Sequence, residues 1–162
     1  MKCASYSKRK LTMPTTPIIE EITQMTSEVH GALIDLLPQV SASARRPTFS
    51  EAEEIVSTNA THLFMARDPM TLAIVGALTL VVFRIPTGVR AWIEDVVVDE
   101  SERGKGIGRA LCQAAISCAI TAGARTVDLT SRVSRDAAHR LYESIGFQVR
   151  DTSVYRYSST QE

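Results

Sequence analysis

The sequence predicts an α/β domain, and three observations carry that prediction. Valine-rich or alternating apolar stretches interleave with stretches whose apolar residues recur every three or four positions. Turn-forming residues fall between them, at Asp68-Pro69, Pro86-Thr87-Gly88 and Gly123. The length of 162 residues, with 44% hydrophobic and 22% charged, is ordinary for one soluble domain with room for a core. The predicted order is β-α-α-β-β-β-α-β-α-β-β, without an internal repeat or a linker to a second domain.

Residues 1–16 are polar and basic, with Lys2, Lys8, Arg9 and Lys10, and lack the apolar centre of a signal peptide. They are expected to be a flexible extension, or to lie upstream of a true start at Met13. Residues 17–157 are expected to form the one domain and 158–162 a tail. Residues 18–23 alternate in part and read as the first strand. Val29, Leu33, Leu36 and Leu37 place a helix over 27–37 that ends before Pro38. A loop over 40–47, rich in Ser and Ala, carries Arg45 and Arg46. Thr48 or Ser50 caps a second helix to about residue 58, with Glu51, Glu53 and Glu54 near its positive end.

Residues 62–66 read as a strand and 72–83 as a long one interrupted at Gly76, where a bulge or close backbone approach is expected. The turn at 86–88 makes a hairpin with a strand over 89–98. A helix from Ile107 runs to Gly123, and 126–131 is the next strand. Ser134 is expected to cap a last helix that Gly146 ends. Residues 147–150 and 153–157 are expected to close the sheet.

The chemistry centres on residues 91–121. Three consecutive valines, Val96, Val97 and Val98, suit a largely buried pleated strand. Arg103-Gly104-Lys105-Gly106-Ile107-Gly108 follows, and beyond it Ile107, Leu111, Ala114, Ala115, Cys118 and Ala119 mark an amphipathic helix. The glycines therefore sit at a helix N-terminus, where unpaired N–H groups and the helix dipole favour an anion. Arg103 and Lys105 add positive charge. Neither the P-loop pattern G-x-x-x-x-G-K-S/T nor the dinucleotide pattern G-x-G-x-x-G is met, which disfavours other nucleotide-binding classes.

The run Arg103, Gly106, Gly108 after a valine strand resembles the R-x-x-G-x-G pyrophosphate loop of the GNAT N-acetyltransferase superfamily. Ala138, Leu141, Tyr142, Gly146 and Phe147 resemble its second signature, in the right order and at a familiar separation. The resemblance is strongest over residues 74–147. It implies the GNAT fold, a mixed and mostly antiparallel sheet with helices on both faces. It also implies acetyl-CoA as co-substrate and transfer of its acetyl group to a primary amine by direct attack in a ternary complex. By the same resemblance, Arg103 through Gly108 hold the pyrophosphate, and the pantetheine arm lies along Val96, Val97 and Val98. His139 stands where relatives often carry a cofactor-contacting Asn, and Tyr142 is the expected general acid.

The resemblance also implies a base from this strand, Glu94 or Asp95, acting directly or through ordered water. Alternation would put Glu94 on the face of Val96 and Val98, and Asp95 on that of Val97. The rival reading is a catalytically silent GNAT-fold module that binds acyl-CoA as a sensor or partner domain. The acceptor is expected to be a small-molecule or peptide amine, selected by residues 37–57 and the chain end. Arg45 and Arg46 hint at an anionic acceptor. Residues 93–98 resemble the matching strand of glucosamine-phosphate acetyltransferases, whereas residues 130–139 resemble generic bacterial-type members. A homodimer is left open.

Charge narrows the partners. Lys+Arg and Asp+Glu both number 18, so there is no bulk positive charge for nucleic acid. No apolar run reaches the roughly 18 residues of a membrane helix. Three cysteines, at no metal-ligand spacing with one another or with His30 and His62, indicate a reducing compartment, a cytoplasmic location and no metal.

Overall fold

The computed structural model describes residues 16–41 and 43–158, and among these the residues up to 130 form one unit and those from 131 another. Residues 1–15 and 159–162, which take in nearly all of the expected extension and tail, lie outside the described residues. The first unit is built on a five-stranded sheet in sequential order. Its strands are β1 (Ile18–Ile22), β2 (Thr61–Arg67), β3 (Ile74–Ile85), β4 (Gly88–Val98) and β5 (Ala124–Leu129). The first four pair antiparallel and β5 joins β4 in parallel. A parallel neighbour needs a crossover, which helix α3 (Ile107–Thr121) supplies.

One sheet face is covered by α1 (Ser27–Val40) and α2 (Phe49–Ser57). Val29, Leu33 and Leu36 of α1 and Ala52 of α2 pack with Leu63, Met65, Ala77 and Val97 in a single apolar cluster. Burying each large side chain there stabilises the fold by about 1.5–3 kcal/mol. Thr26 Oγ1 caps α1 by accepting from the Val29 amide. The helix passes the expected stop at Pro38 by two residues, and the Ser41 amide still reaches the Leu37 carbonyl. In a last turn, proline's missing N–H deletes a single ladder bond. Thr48 caps α2 in a complete capping box with Glu51.

Helix α3 covers the other face, with Ile107, Leu111, Cys112, Ala115 and Ala119 buried. Gly76 makes this contact close, as the sequence predicts. A Cβ there would lie 3.0 Å from the Val97 carbonyl oxygen, and 3.2 Å from both Ile107 Cγ2 and Leu111 Cδ1. Strand β3 starts at Ile74, because residues 68–73 form a turn in which Asp68 Oδ1 accepts from the Met70 and Thr71 amides.

The second unit holds α4 (Asp136–Ser144). The expected strands at 147–150 and 153–157 do not form. Their alternation records a capacity for pairing, but a strand exists only through its ladder. Val149, Val154, Tyr155 and Tyr157 are instead exposed. Among the described residues, no helix is long and apolar enough to cross a membrane.

Candidate functional site

Strand β4 changes phase at its centre. Its ladder with β3 runs through Leu80↔Ile93 and Thr79↔Glu94, then resumes at Ala77↔Val97 and Gly76↔Val98. Asp95 and Val96 therefore oppose the single residue Leu78, which makes a β-bulge. Asp95 sits at φ 49°, a left-handed conformation that costs most residues about 1–2 kcal/mol and that Asp tolerates better than most. The bulge overturns the alternation expected from the sequence. Glu94 and Val97 stand opposite Thr79 and Ala77, two residues apart on β3, so they share one face. Both carboxylates are exposed. Glu94 Oε1 accepts a hydrogen bond from Trp92 Nε1 at 2.7 Å.

The parallel ladder to β5 ends at Ile93↔Leu129. From Glu94 onward, β4 has a ladder partner on the β3 side alone among the described residues, so backbone groups on its other edge meet no strand. One is engaged otherwise: the Val98 carbonyl accepts from Arg103 Nε at 3.2 Å.

Beyond β4, Asp99 accepts from the Ser101 amide and hydroxyl and opens a 3-10 turn over Glu100–Glu102. Gln39 of α1 braces this turn, donating to Asp99 Oδ2 at 3.3 Å and accepting from the Glu100 amide at 2.9 Å. The Ser101 hydroxyl, then its amide and Gln39, hold the Asp99 carboxyl below its usual range. Arg103, Gly104, Lys105 and Gly106 are exposed, and Lys105 Nζ pairs with Glu102 at 2.7 Å. Gly104 and Gly106 have φ of 81° and 82°, and an added Cβ would meet nothing within 4 Å at either. Glycine is needed here for its backbone angle. Gly106 is the N-cap of α3 and supplies no side-chain acceptor. Ile107 is buried and anchors the first turn, with half-buried Gly108 next. The leading amides of α3 thus have no side-chain cap, beside two cationic side chains.

A cavity of about 320 Å³ opens on the α1/α2 face before the bulge. Leu33, Leu37, Ile55, Leu63 and Val97 give it aliphatic walls, with Thr79 and Asp95 among its polar lining. Glu94 does not line it. Arg45 does, but its guanidinium already meets Glu51 at 2.6 Å. The Thr48 amide first, and then Arg45, pull the Glu51 carboxyl down to about 2. This pair lies at the surface, with the Arg45 side chain 76% exposed.

In the second unit, α4 begins after Arg135, which gives no side-chain cap. Ser134 lies one residue too early to serve as the expected N-cap. Gly146, at φ 101°, ends the helix as expected, with the Phe147 amide reaching back to the Tyr142 carbonyl at 3.0 Å. Tyr142 is half-buried and packs edge-on to Phe147, ring centroids 5.9 Å apart. His139 Nε2 donates to the Arg132 carbonyl at 2.9 Å, which fixes the ring's tautomer. One grouping escaped the sequence reading altogether. Glu21, His62 and Cys118, distant along the chain, bring their ligand atoms within 4.8 Å of one another. Burial, followed by the Glu21 carboxylate, pushes the Cys118 thiol up. Only the β1–β2 register and the placement of α3 reveal this cluster.

A mixed sheet whose strand β4 loses its β5 neighbour halfway and runs on into an uncapped glycine turn and a crossover helix defines a class of α/β folds. Residues 29–147 match the Acetyltransferase (GNAT) family, and the chain belongs to it. An N-alpha-acetyltransferase 30 from Xenopus laevis is 37% identical over 68 residues, which span 42% of this chain and 24% of that protein. The chain therefore spans about a quarter of that relative's length.

Among solved structures, a transcriptional regulator from Bacillus halodurans C-125 aligns with a TM-score of 0.75 at 25% identity, over 88% of this chain and 100% of that one. An aminoglycoside acetyltransferase from an uncultured soil metagenomic sample, in complex with sisomicin, aligns at 0.76 and 22% identity, over 90% and 97%. Glucosamine-6-phosphate N-acetyltransferase from Arabidopsis thaliana aligns at 0.73 and 22%, over 89% and 99%. At those identities the last two speak for the fold alone.

Proposed function

We infer that residues 17–157 act as one N-acetyltransferase domain that moves the acetyl group of acetyl-CoA to a primary amine by direct attack in a ternary complex. The observation that carries this reading is the uncapped glycine turn at the start of α3, beside the half-paired strand β4. Amides from Arg103 to Gly108 would hold the pyrophosphate, aided by the side chains of Arg103 and Lys105. The open edge of Val96, Val97 and Val98 suits an arm bearing amide groups, which pairs with backbone as an added strand does. Acetyl-CoA supplies an activated thioester when bound.

The chain's own residues manage protons. An alkylamine is neutral in only about one part in 2,500 at pH 7, so a base or a dry channel must assist. Asp95 is the better placed carboxylate, because it lines the cavity while Glu94 accepts from Trp92. Tyr142 is the general acid for the departing thiolate; a phenol with pKa about 10 still carries its proton at pH 7. His139 adds a cofactor contact through its second ring nitrogen. The acceptor is an amine on an apolar skeleton, a small molecule or a peptide end, because the cavity walls are aliphatic.

Free-thiol release on a panel of apolar amines tests the reading, alongside calorimetric titration with acetyl-CoA. Tyr142→Phe should bind acetyl-CoA normally and lose about 10²–10⁴-fold in turnover. Full activity in that variant would remove Tyr142 from the chemistry. A second reading, a silent acyl-CoA-binding module, is favoured by the transcriptional regulator among the structural neighbours. Tight acetyl-CoA binding with no turnover on any amine would select it.

A further inference from the structure

The geometry points to a binding site for one zinc-class divalent cation among Glu21 of β1, His62 of β2 and Cys118 of α3. Three elements converge there. Glu21 pairs with Phe64, and His62 and Phe64 pair with Leu80 and Leu78, so Glu21 and His62 project from one sheet face. That is the α3 face, since Gly76, two residues from Leu78, abuts Ile107 and Leu111. Cys118 comes from the last turns of α3. The Glu21–His62 contact, Oε1 to Nδ1 at 2.7 Å, accounts for two of the groups as a hydrogen bond. It does not require a sulfur atom as the third.

A carboxylate, an imidazole and a thiol together are a borderline-soft donor set, suited to zinc or cobalt rather than to calcium or magnesium, which take oxygen. Metal–ligand bonds of about 2.0–2.3 Å in a tetrahedron space the donor atoms roughly 3.3–3.8 Å apart. That range lies between the 2.7 Å of the Glu21–His62 contact and the 4.8 Å bound on the cluster. Shifts of about 1 Å or less would form the site. The Glu21 side chain is 42% exposed and His62 22%, so the carboxylate is free to swing and the ion has a way in. Three protein ligands leave a fourth position for water. Coordination would pass the thiol proton to solvent, with no change of oxidation state. The bound ion would staple α3 to the outer strands, on the face opposite the cavity that Asp95 lines.

Cobalt(II) is the probe, because a thiolate–cobalt bond gives a charge-transfer band that oxygen or nitrogen ligands do not. The full chain is titrated in a Cys3→Ala/Cys112→Ala background, where Cys118 is the one remaining of three cysteines. The expected result is a band saturating at one equivalent, erased by zinc, and a thermal midpoint that rises with zinc. Adding Cys118→Ser should abolish the band. His62→Ala and the milder Glu21→Gln should each weaken cobalt binding by about tenfold or more, with metal-free melts confirming that both fold. An absent band, a band that survives Cys118→Ser, or affinity unchanged in both His62→Ala and Glu21→Gln would overturn the proposal. Acetyl-CoA binding, measured separately, is expected not to depend on the metal.

Discussion

Gly106 allows helix geometry and anion binding to be separated. Its φ of 82° costs an L-residue about 1–2 kcal/mol. A Cβ there meets nothing within 4 Å, so no clash adds to that strain. Gly106→Ala and Gly106→Glu should therefore share a loss of about 1–2 kcal/mol, or roughly 2–8 °C in thermal midpoint for a chain of this size. Acetyl-CoA affinity should divide them. The alanine strain is present with and without ligand, so its affinity should stay within about threefold of the parent. The glutamate aims a carboxylate into the seat proposed for the pyrophosphate and should cost on the order of a hundredfold, ~2.7 kcal/mol. Scanning calorimetry reads the first quantity and isothermal titration the second. Parent-like affinity in Gly106→Glu would refute the assignment of the turn.

Three further outcomes are expected. Asp95→Asn should cut turnover by about 10²–10⁴-fold while Glu94→Gln stays within about threefold; equal losses in steady-state rates would undo the choice of base. Gly76→Ala forces a methyl against the Val97 carbonyl oxygen at 3.0 Å and should cost about 1–3 kcal/mol in a denaturant melt; an unchanged midpoint would contradict that close approach. Asp99 is held below its unfolded value, so its contribution to stability is present above the ordinary carboxylate range and is lost as pH falls through its folded value. Melts taken from about pH 5 downward should show a shallower acid loss in Asp99→Asn; a parallel loss would show that the Ser101 and Gln39 bonds carry no pH-linked stability.

Much of the first unit was legible because its signals are local. Thr48 with Glu51, Gly76 between apolar neighbours and the glycines before Ile107 each announce a backbone requirement within a few residues. The two carboxylates of β4 were not legible. Ala91, Ile93 and Val97 are all buried and all odd-numbered, so simple alternation would assign them to one face. The bulge at Asp95 sends Val97 to the α1/α2 cluster while Ile93 stays opposite Leu80. A conformation at φ 49° on an aspartate leaves no mark in composition. Residues 147–157 erred the other way, since alternation without a ladder resembles a strand on paper. The Glu21, His62 and Cys118 cluster depends on register between distant strands, which spacing along the chain does not encode.

The same bulge divides the burden of mutation along β4. Before it, the stretch 89–93 is gripped from both sides, and a change at Ala91 or Ile93 is felt as lost stability. After it, one edge is released from structural duty, and only the positions turned toward the α1/α2 core remain answerable to folding. A substitution scan of stability through β4 should therefore read as a step at Asp95 instead of the even ripple of an ordinary strand.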